Sequence, residues 1–272
     1  MSELAPHPGL SVHRINAMIL RCWYLLMSSW PRLLELLYWP ALQVITWGFI
    51  QLHIAQNVDF FARTGGTLIG AVILWDMLFR GQLGFSISFL EEMWARNLGN
   101  LMMSPLKPIE FLLALMVMSL IRLAIGVIPM TLLALFLFQF NIYSLGLPLI
   151  AFFCNLILTS WAVGIFVSGL VLRNGLGAQS IAWTLMFAIM PLACVYYPIS
   201  VLPIWLQVVG WALPPTYVFE GMRVLLIDHT FRTDLMLDAL AINAGLLPAS
   251  LGAFLALLRS AKKHGSLLSS GE

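Results

Sequence analysis

The sequence predicts an all-α, polytopic membrane protein. Hydrophobic residues make up 61% of the 272 residues and charged residues only 10%, against about 25% charged in a typical soluble domain. The apolar residues gather in long runs of roughly 20, the length that a helix needs to cross hydrocarbon. Backbone groups in lipid must be paired within the chain, so such runs are helical. We therefore expect one transmembrane domain over 1–272.

The first expected element is an interfacial helix over residues 11–31. Arg14, Arg21 and Ser28 fall on one stripe, and apolar residues form a second stripe beside it. This pattern is typical of an amphipathic helix that lies in the membrane interface, with its basic face toward lipid headgroups.

Six transmembrane helices follow in the predicted layout. Their expected ranges are about 33–52, 64–89, 109–140, 147–172, 176–197 and 235–258, with a polar loop over 56–63 between the first two. A Ser160-x-x-x-Gly164-x-x-x-Ser168 series in the fourth span, like Gly66 and Gly70 in the second, predicts a face at which helices approach closely.

A charged segment separates the second span from the third. It contains Glu91, Glu92 and Arg96, and such a segment cannot remain in hydrocarbon. Because the acids precede the arginine, the order suits a short helix. The sequence predicts a surface helix over 90–101, on which a protein outside the bilayer could push.

Prolines break the apolar stretch that follows the fifth span. The part between Pro203 and Pro214 is too short to cross a bilayer, which favours a re-entrant hairpin over 198–222. The region from Glu220 to Asp234 is predicted to be a polar loop.

The distribution of lysine and arginine predicts the orientation. With six spans, nine of these residues lie on the side of the two termini and the charged segment, and three lie on the opposite side. The positive-inside rule then places both termini in the cytoplasm, in a bacterial inner membrane.

Ionisable residues inside the spans form a candidate cluster. Asp76 and Arg80 lie four residues apart on one helix face. Asp76 and Arg122 both fall roughly 21 Å from the cytoplasmic ends of their spans. Since intramembrane charges normally pair, we expect Asp76 to lie within salt-bridge reach of Arg80 or Arg122. Such a cluster either fixes the helix register or lines a polar path or gate.

The chain lacks the motifs of a nucleotide-binding or catalytic domain. None of its three lysines follows a phosphate-binding glycine loop, so no cofactor, metal or nucleic acid is expected to bind. The pair His229 and Asp234 has the spacing of an acyltransferase motif, which leaves an intramembrane enzyme as an alternative. A passive channel is a further functional class to consider, but the sequence contains no motif typical of an ion-selectivity filter.

Four segments, in this order, resemble the permease subunit of the type-2 ABC exporter family. They are the amphipathic helix over 14–30, the acid-rich stretch from Glu91 through Ser104-Pro105-Leu106-Lys107-Pro108-Ile109-Glu110, the stretch from Tyr197 to Leu206, and Leu213-Pro214-Pro215-Thr216-Tyr217 with Glu220 and Arg223. Pro214-Pro215 departs from the Asn-Pro-Leu of the family motif.

The resemblance implies a transport subunit that is not catalytic alone. Two copies, identical or different, would form the path, and separate ATPase subunits would hold ATP and magnesium. The residues expected to couple to the ATPase are Glu91, Glu92, Trp94, Arg96, Asn97 and Leu98. Those expected at the outer hairpin or gate are Tyr197, Trp205, Trp211, Tyr217 and Glu220. A hydrophobic or amphipathic small molecule or lipid is the expected substrate, with lipid-linked polysaccharide as the alternative.

Overall fold

The computed structural model describes residues 9–57 and 66–264, which are helical with no strand among them. The predicted loop over 56–63 and the start of the second span lie largely outside these residues. The helices, numbered in chain order, are α1 (Val12–Met27), α2 (Trp30–Asn57), α3 (Thr67–Trp94), α4 (Leu98–Met103), α5 (Pro108–Phe138), α6 (Leu147–Asn174), α7 (Ser180–Leu192), α8 (Ile204–Trp211), α9 (Pro214–Asp228) and α10 (Thr233–His264). Short 3₁₀ turns cover Ile142–Leu145, Leu176–Gln179 and Ile199–Val201.

Helix α3 is the centre of the bundle. Its apolar stretch is 89% buried, and it packs against α2, α5 and α6. The predicted small-residue face of α6 makes one of these contacts: Ser160 Oγ donates to the Leu78 carbonyl at 2.8 Å. A Cβ on Gly164 would lie 2.9 Å from the Phe85 ring, so glycine is what lets the two helices approach there.

Within the described residues, five helices are long and apolar enough to cross a membrane: α2, α3, α5, α6 and α10. The fifth expected span, 176–197, contains a 3₁₀ turn and then α7, which has 13 residues and reaches about 20 Å. Pro191 lies in the last turn of α7, and Cys194 has a φ of 53°, so the helix cannot continue. The six-span layout stays a prediction.

The boundary after the second span differs from the expectation. A surface helix was expected over 90–101, but α3 continues through Trp94, and a separate one-turn helix, α4, follows after a tight reversal at Arg96, whose φ is 51°. The physical reason is that Glu91 and Glu92 are paired inside the protein, so their charges do not end the helix. We call the end of the bundle where α3 ends and α5 begins the basal end.

The connection after α7 lies at the opposite, apical end. A hairpin followed by a polar loop was expected here. The loop prediction was wrong for its first half, since Glu220, Arg223 and Asp228 belong to α9. Helix α9 begins with Pro214 and Pro215 in its first turn, where proline is well tolerated because the first amide groups have no helical partner. The re-entrant geometry of 198–222 stays a prediction.

Candidate functional site

Two charged side chains in the middle of α3 form a buried ion pair. Arg80 Nε donates to Asp76 Oδ2 at 2.6 Å, and the side chains are 10% and 0% exposed. The expected salt-bridge contact between Asp76 and Arg80 is therefore confirmed. The second oxygen, Asp76 Oδ1, accepts no hydrogen bond from the described residues.

Arg122 of α5 pairs with Glu91 instead of Asp76. The Arg122 Nη2 to Glu91 Oε2 distance is 2.7 Å, and both side chains are 4% exposed. The matching depths of Asp76 and Arg122 did not make them partners, because that comparison used Cα positions alone. Side chains lean toward the N-terminus of their helix, so Arg122 leans toward the basal end and Glu91 leans away from it, and the two meet.

The basal carboxylates hold the N-terminal part of the chain. Arg32, at the start of α2, lies 3.3 Å from Glu91. Arg21 of α1 donates to both oxygens of Glu92, at 2.8 and 3.2 Å, and Asn97 Nδ2 donates to the same carboxylate at 2.7 Å. The hydrogen bond that Arg21 donates to Glu92 raises the pKa of Arg21. Two arginines from two helices are thus fastened to the last turns of α3.

A third carboxylate binds α1 at its beginning. Glu110 is fully buried and accepts hydrogen bonds from the Arg14 side chain at 2.6 and 2.8 Å, from the Ser11 amide at 2.8 Å and from the Lys107 amide at 3.0 Å. The expectation that Arg14 and Arg21 face lipid headgroups was therefore wrong: this stripe of α1 faces acids of the protein. Sequence reasoning missed Glu110 as a partner, although its spacing from Pro108 is typical of a helix N-terminus.

The predicted coupling residues separate into two groups. Glu91, Glu92 and Leu98 are buried, and Asn97 is partly buried. Trp94 and Arg96 are exposed, together with Ala95 between them. We call Trp94–Arg96 the tip. A protein that binds at the basal end can therefore touch the tip directly but reaches the two glutamates only through it.

A cavity of about 620 Å³ lies beside the ion pairs. Helices α2, α3, α5 and α7 and the preceding 3₁₀ turn contribute to its lining, which is mostly apolar and aromatic with five ionisable side chains. The ionisable residues are Arg32, Glu35, Arg80, Glu91 and Arg122, and the aromatic residues are Trp39, Trp75, Phe79, Trp94, Trp183 and Phe187. Arg80 and Arg122, two of the three predicted cluster residues, therefore border one cavity.

The cavity has a sequence signal that the sequence interpretation did not use. On α3, Trp75, Phe79, Leu83 and Ile87 recur every four residues and line it, which places them on one helix face. On α2, Trp39 also lines the cavity and is 54% exposed. The four-residue repeat on α3 thus marked a cavity-lining face, but in the sequence these residues were interpreted only as part of an apolar span.

We expect Gly126→Ala to destabilise the fold by displacing Arg80. A Cβ on Gly126 would lie 3.0 Å from the Leu36 carbonyl oxygen and 3.1 Å from Arg80 Cδ. Such overpacking costs about 1–3 kcal/mol, which thermal unfolding in detergent would detect as a lower Tm. Gly252→Ala in α10, where nothing lies within 4 Å of the added Cβ, is the matched control and should leave the Tm unchanged or raised. Equal Tm values for the two variants would contradict the prediction.

At the apical end, Glu220 and Arg223 of α9 hold the segment that follows α7. Glu220 Oε1 accepts from the Ile199 amide at 2.7 Å. Arg223 Nη2 donates to the carbonyls of Cys194 and Tyr197 at 2.5 and 2.7 Å. Burial lowers the pKa of Arg223. Arg223 was not among the predicted site residues, although its i+3 spacing from Glu220 indicated a pair.

The aromatic residues expected at the outer gate have mostly local partners. Tyr197 Oη donates to the Pro191 carbonyl at 2.7 Å, and Tyr217 Oη donates to the Trp211 carbonyl at 2.9 Å. The Trp211 and Tyr217 rings also meet edge to face, 4.8 Å apart. Trp205 is 69% exposed. Four of the five predicted residues thus fix the shape of the apical connection between α7 and α9, and Trp205 is available to a lipid or a partner.

The acyltransferase-like pair is not assembled. Both residues are exposed at the apical end, and the carboxylate of Asp234 is bound by Arg232, whose Nε lies 2.8 Å from Oδ1. The hydrogen bond that Arg232 donates to Asp234 raises the pKa of Arg232. His229 ends α9 with a φ of 55°, which is a helix-ending conformation. This arrangement gives no support to a catalytic role.

A comparison with protein families explains why these features occur together. The family model described as "ABC-2 type transporter" matches residues 17–227. The chain belongs to the ABC-2 type transporter family. No curated protein sequence matches it.

The ABC-2 match covers the tip, the buried ion pairs, the cavity and the apical connection from α7 through all but the last residue of α9. The chain is thus the permease subunit of a type-2 ABC transporter, and the resemblance seen in the sequence is confirmed. Permeases of this family are the transport component, are not catalytic alone, and imply an ATPase partner in the complex. Together with the five helices in the described part of the chain that are able to cross a membrane, the match identifies a multi-pass membrane protein.

Proposed function

We propose that this ABC-2 permease is the membrane-spanning subunit of an ATP-driven exporter in a bacterial inner membrane. Two copies form the substrate path, and a separate nucleotide-binding subunit docks at the basal end of each. ATP and magnesium belong to that subunit. In the six-span arrangement, α7 and its flanking turns make the fifth crossing, and both termini and the tip are cytoplasmic.

The observation that carries the proposal is the construction of the basal end. The tip is exposed, while the residues on either side of it are fastened to α1, α2 and α5 through Glu91 and Glu92. A force on the tip is therefore transmitted to several helices at once, since the buried pairs keep them together. A short exposed segment with a rigid base suits mechanical coupling to an ATPase.

The cavity supports a path between two copies. It is bounded by α2 and α7, and the aromatic residues Trp39, Trp183 and Phe187 on these helices are about half exposed. Only 17% of the apolar stretch of α2 is buried within the chain. A second copy packed against α2 and α7 would cover these surfaces and enclose the cavity, with the Asp76–Arg80 pair beside the path.

The lining of the cavity favours a hydrophobic or amphipathic small molecule or a lipid as substrate. Its volume, about 620 Å³, lies in the range of sites that enclose small ligands. Its walls are mostly apolar, with a few polar groups. Lipid-linked polysaccharide is the alternative, because aromatic walls also stack on sugars.

A cysteine crosslinking experiment tests the docking site. We expect Ala95→Cys, in the middle of the tip, to crosslink to the ATP-hydrolysing subunit when membranes from the native host are treated with a short heterobifunctional reagent that joins a thiol to a lysine amine. Ser200→Cys, exposed at the apical end, is the matched control and should give no such product. The exposed Cys154 is replaced by serine in both variants.

The same two variants test the orientation. A membrane-impermeant maleimide added outside intact spheroplasts should label Ser200→Cys and not Ala95→Cys. Labelling of both positions from the same side would contradict the topology. Crosslinking from Ser200→Cys, but not from Ala95→Cys, would contradict the docking site.

A further inference from the structure

One carboxylate in the cavity wall has no basic partner. The three arginines that line the cavity are all in ion pairs: Arg80 with Asp76, and Arg32 and Arg122 with Glu91. Glu35 also lines the cavity and is exposed, and no ion pair within the described part of the chain includes it. It is therefore an accessible carboxylate with no ion-pair partner of its own, whereas Arg32 and Arg122 share Glu91.

Glu35 lies at the level of the aromatic part of the cavity. The carbonyl of its neighbour Leu36 and the side chain of Arg80 both lie about 3 Å from the same point on α5, the Cβ position of Gly126. On α2, Trp39 lies one turn above Glu35, and Arg32 lies one turn below, toward the basal end. Arg32 and Arg122 share the single carboxylate of Glu91, so one positive charge remains in excess there. This excess charge lies on the basal side of Glu35, whereas Trp39 lies on the other side.

Aromatic rings form a continuous wall in the same part of the cavity. Phe79 is the centre: its ring centroid is 5.9 Å from Trp75, 5.6 Å from Trp183 and 5.9 Å from Phe187. Trp183 and Phe187 are exposed, so their surfaces are available to a ligand. Aromatic faces attract cations, and the attraction is stronger in a site with little water.

We propose that the cavity binds lipophilic organic cations, with Glu35 as the counter-charge and the rings around Phe79 as the walls. The cation lies on the Trp39 side of Glu35, away from Arg32. Arg80 does not repel it strongly because its charge is balanced by Asp76. The inference deepens the proposed transport function by naming the substrate class, and it rests on that function only in so far as the bound cation is transported.

The test compares two ions of nearly the same size and shape but opposite charge. Equilibrium dialysis with the purified full-length permease in detergent measures the binding of tetraphenylphosphonium and of tetraphenylborate. We expect the phosphonium to bind more tightly than the borate. Glu35→Gln should weaken phosphonium binding by about tenfold, the effect of removing one ionic contact in a partly desolvated site, and should not weaken borate binding.

Asp238→Asn is the matched control, because Asp238 is an exposed acid of α10 outside the cavity, and it should bind both ions like the wild type. Equal phosphonium affinity in the wild type and Glu35→Gln, tighter binding of the borate, or no phosphonium binding would each overturn the proposal. The measurement needs no ATPase subunit. A negative result therefore leaves the docking site at Ala95 standing, and a failed crosslink leaves the cation site standing.

Discussion

We expect Glu91→Leu to lower the free energy of unfolding by about 3–5 kcal/mol, because it leaves Arg122 as an uncompensated buried charge. Arg122 is 4% exposed, its Nη2 atom binds Glu91, and its Nε atom has no hydrogen-bond partner among the described residues. Arg32 also loses its contact, but its side chain is 43% exposed, so water can solvate it. In thermal unfolding of the detergent-purified protein, the Tm should fall by about 10 °C.

The double variant Glu91→Leu/Arg122→Met is the control that isolates the charge effect. Replacing both partners of a buried pair by apolar residues of similar size is often neutral, so the double variant should regain most of the lost stability. A Glu91→Leu protein as stable as the wild type would contradict the prediction. So would a double variant that is no more stable than the single one, because the loss would then come from packing.

This pair shows what the sequence could predict and what it could not. The membrane class followed from hydropathy, and the Asp76–Arg80 contact followed from a four-residue spacing within one helix. The partner of Arg122 could not be predicted in this way. It depends on the directions in which side chains point from two antiparallel helices, and on how far α3 continues. Such long-range pairs are set by packing between helices, which has no local signal.

The same limitation affected the charged segment. Glu91 and Glu92 were interpreted as surface residues because an unpaired charge cannot remain in an apolar environment. Their partners, Arg21, Arg32 and Arg122, come from three other helices, so the pairing that allows burial was not visible in the local sequence. The cavity was missed for a related reason. The residues of α2 and α3 that line it enclose a space only when α7 packs opposite them.

The burial of Glu92 changes how coupling should be tested. Glu92 was expected on a surface helix, where its charge could be reversed without unfolding the protein, but it is fully buried and bound by Arg21 and Asn97. A lysine there would meet Arg21 and disturb the fold, so loss of transport would not report on coupling. Arg96 is the better position because it is exposed at the tip and no ion pair within 9–57 and 66–264 includes it.

We expect Arg96→Glu to separate the permease from its ATPase subunit without unfolding it. Substitution of an exposed residue away from packed features changes stability by less than about 0.5 kcal/mol, so the Tm should match the wild type. A reversed charge inside an interface costs several kcal/mol when it meets a like charge. The amount of ATPase subunit that co-purifies with the permease should therefore fall by about tenfold or more.

Arg259→Glu provides the matched control for this experiment. Arg259 is an exposed arginine near the basal end of α10, so the variant carries the same charge change at the same end of the bundle but outside the tip. It should retain wild-type co-purification. Unchanged co-purification of Arg96→Glu would contradict a direct role for Arg96 at the docking surface. An equal loss in both variants would mean that the net charge of the basal end, and not the tip, holds the ATPase subunit.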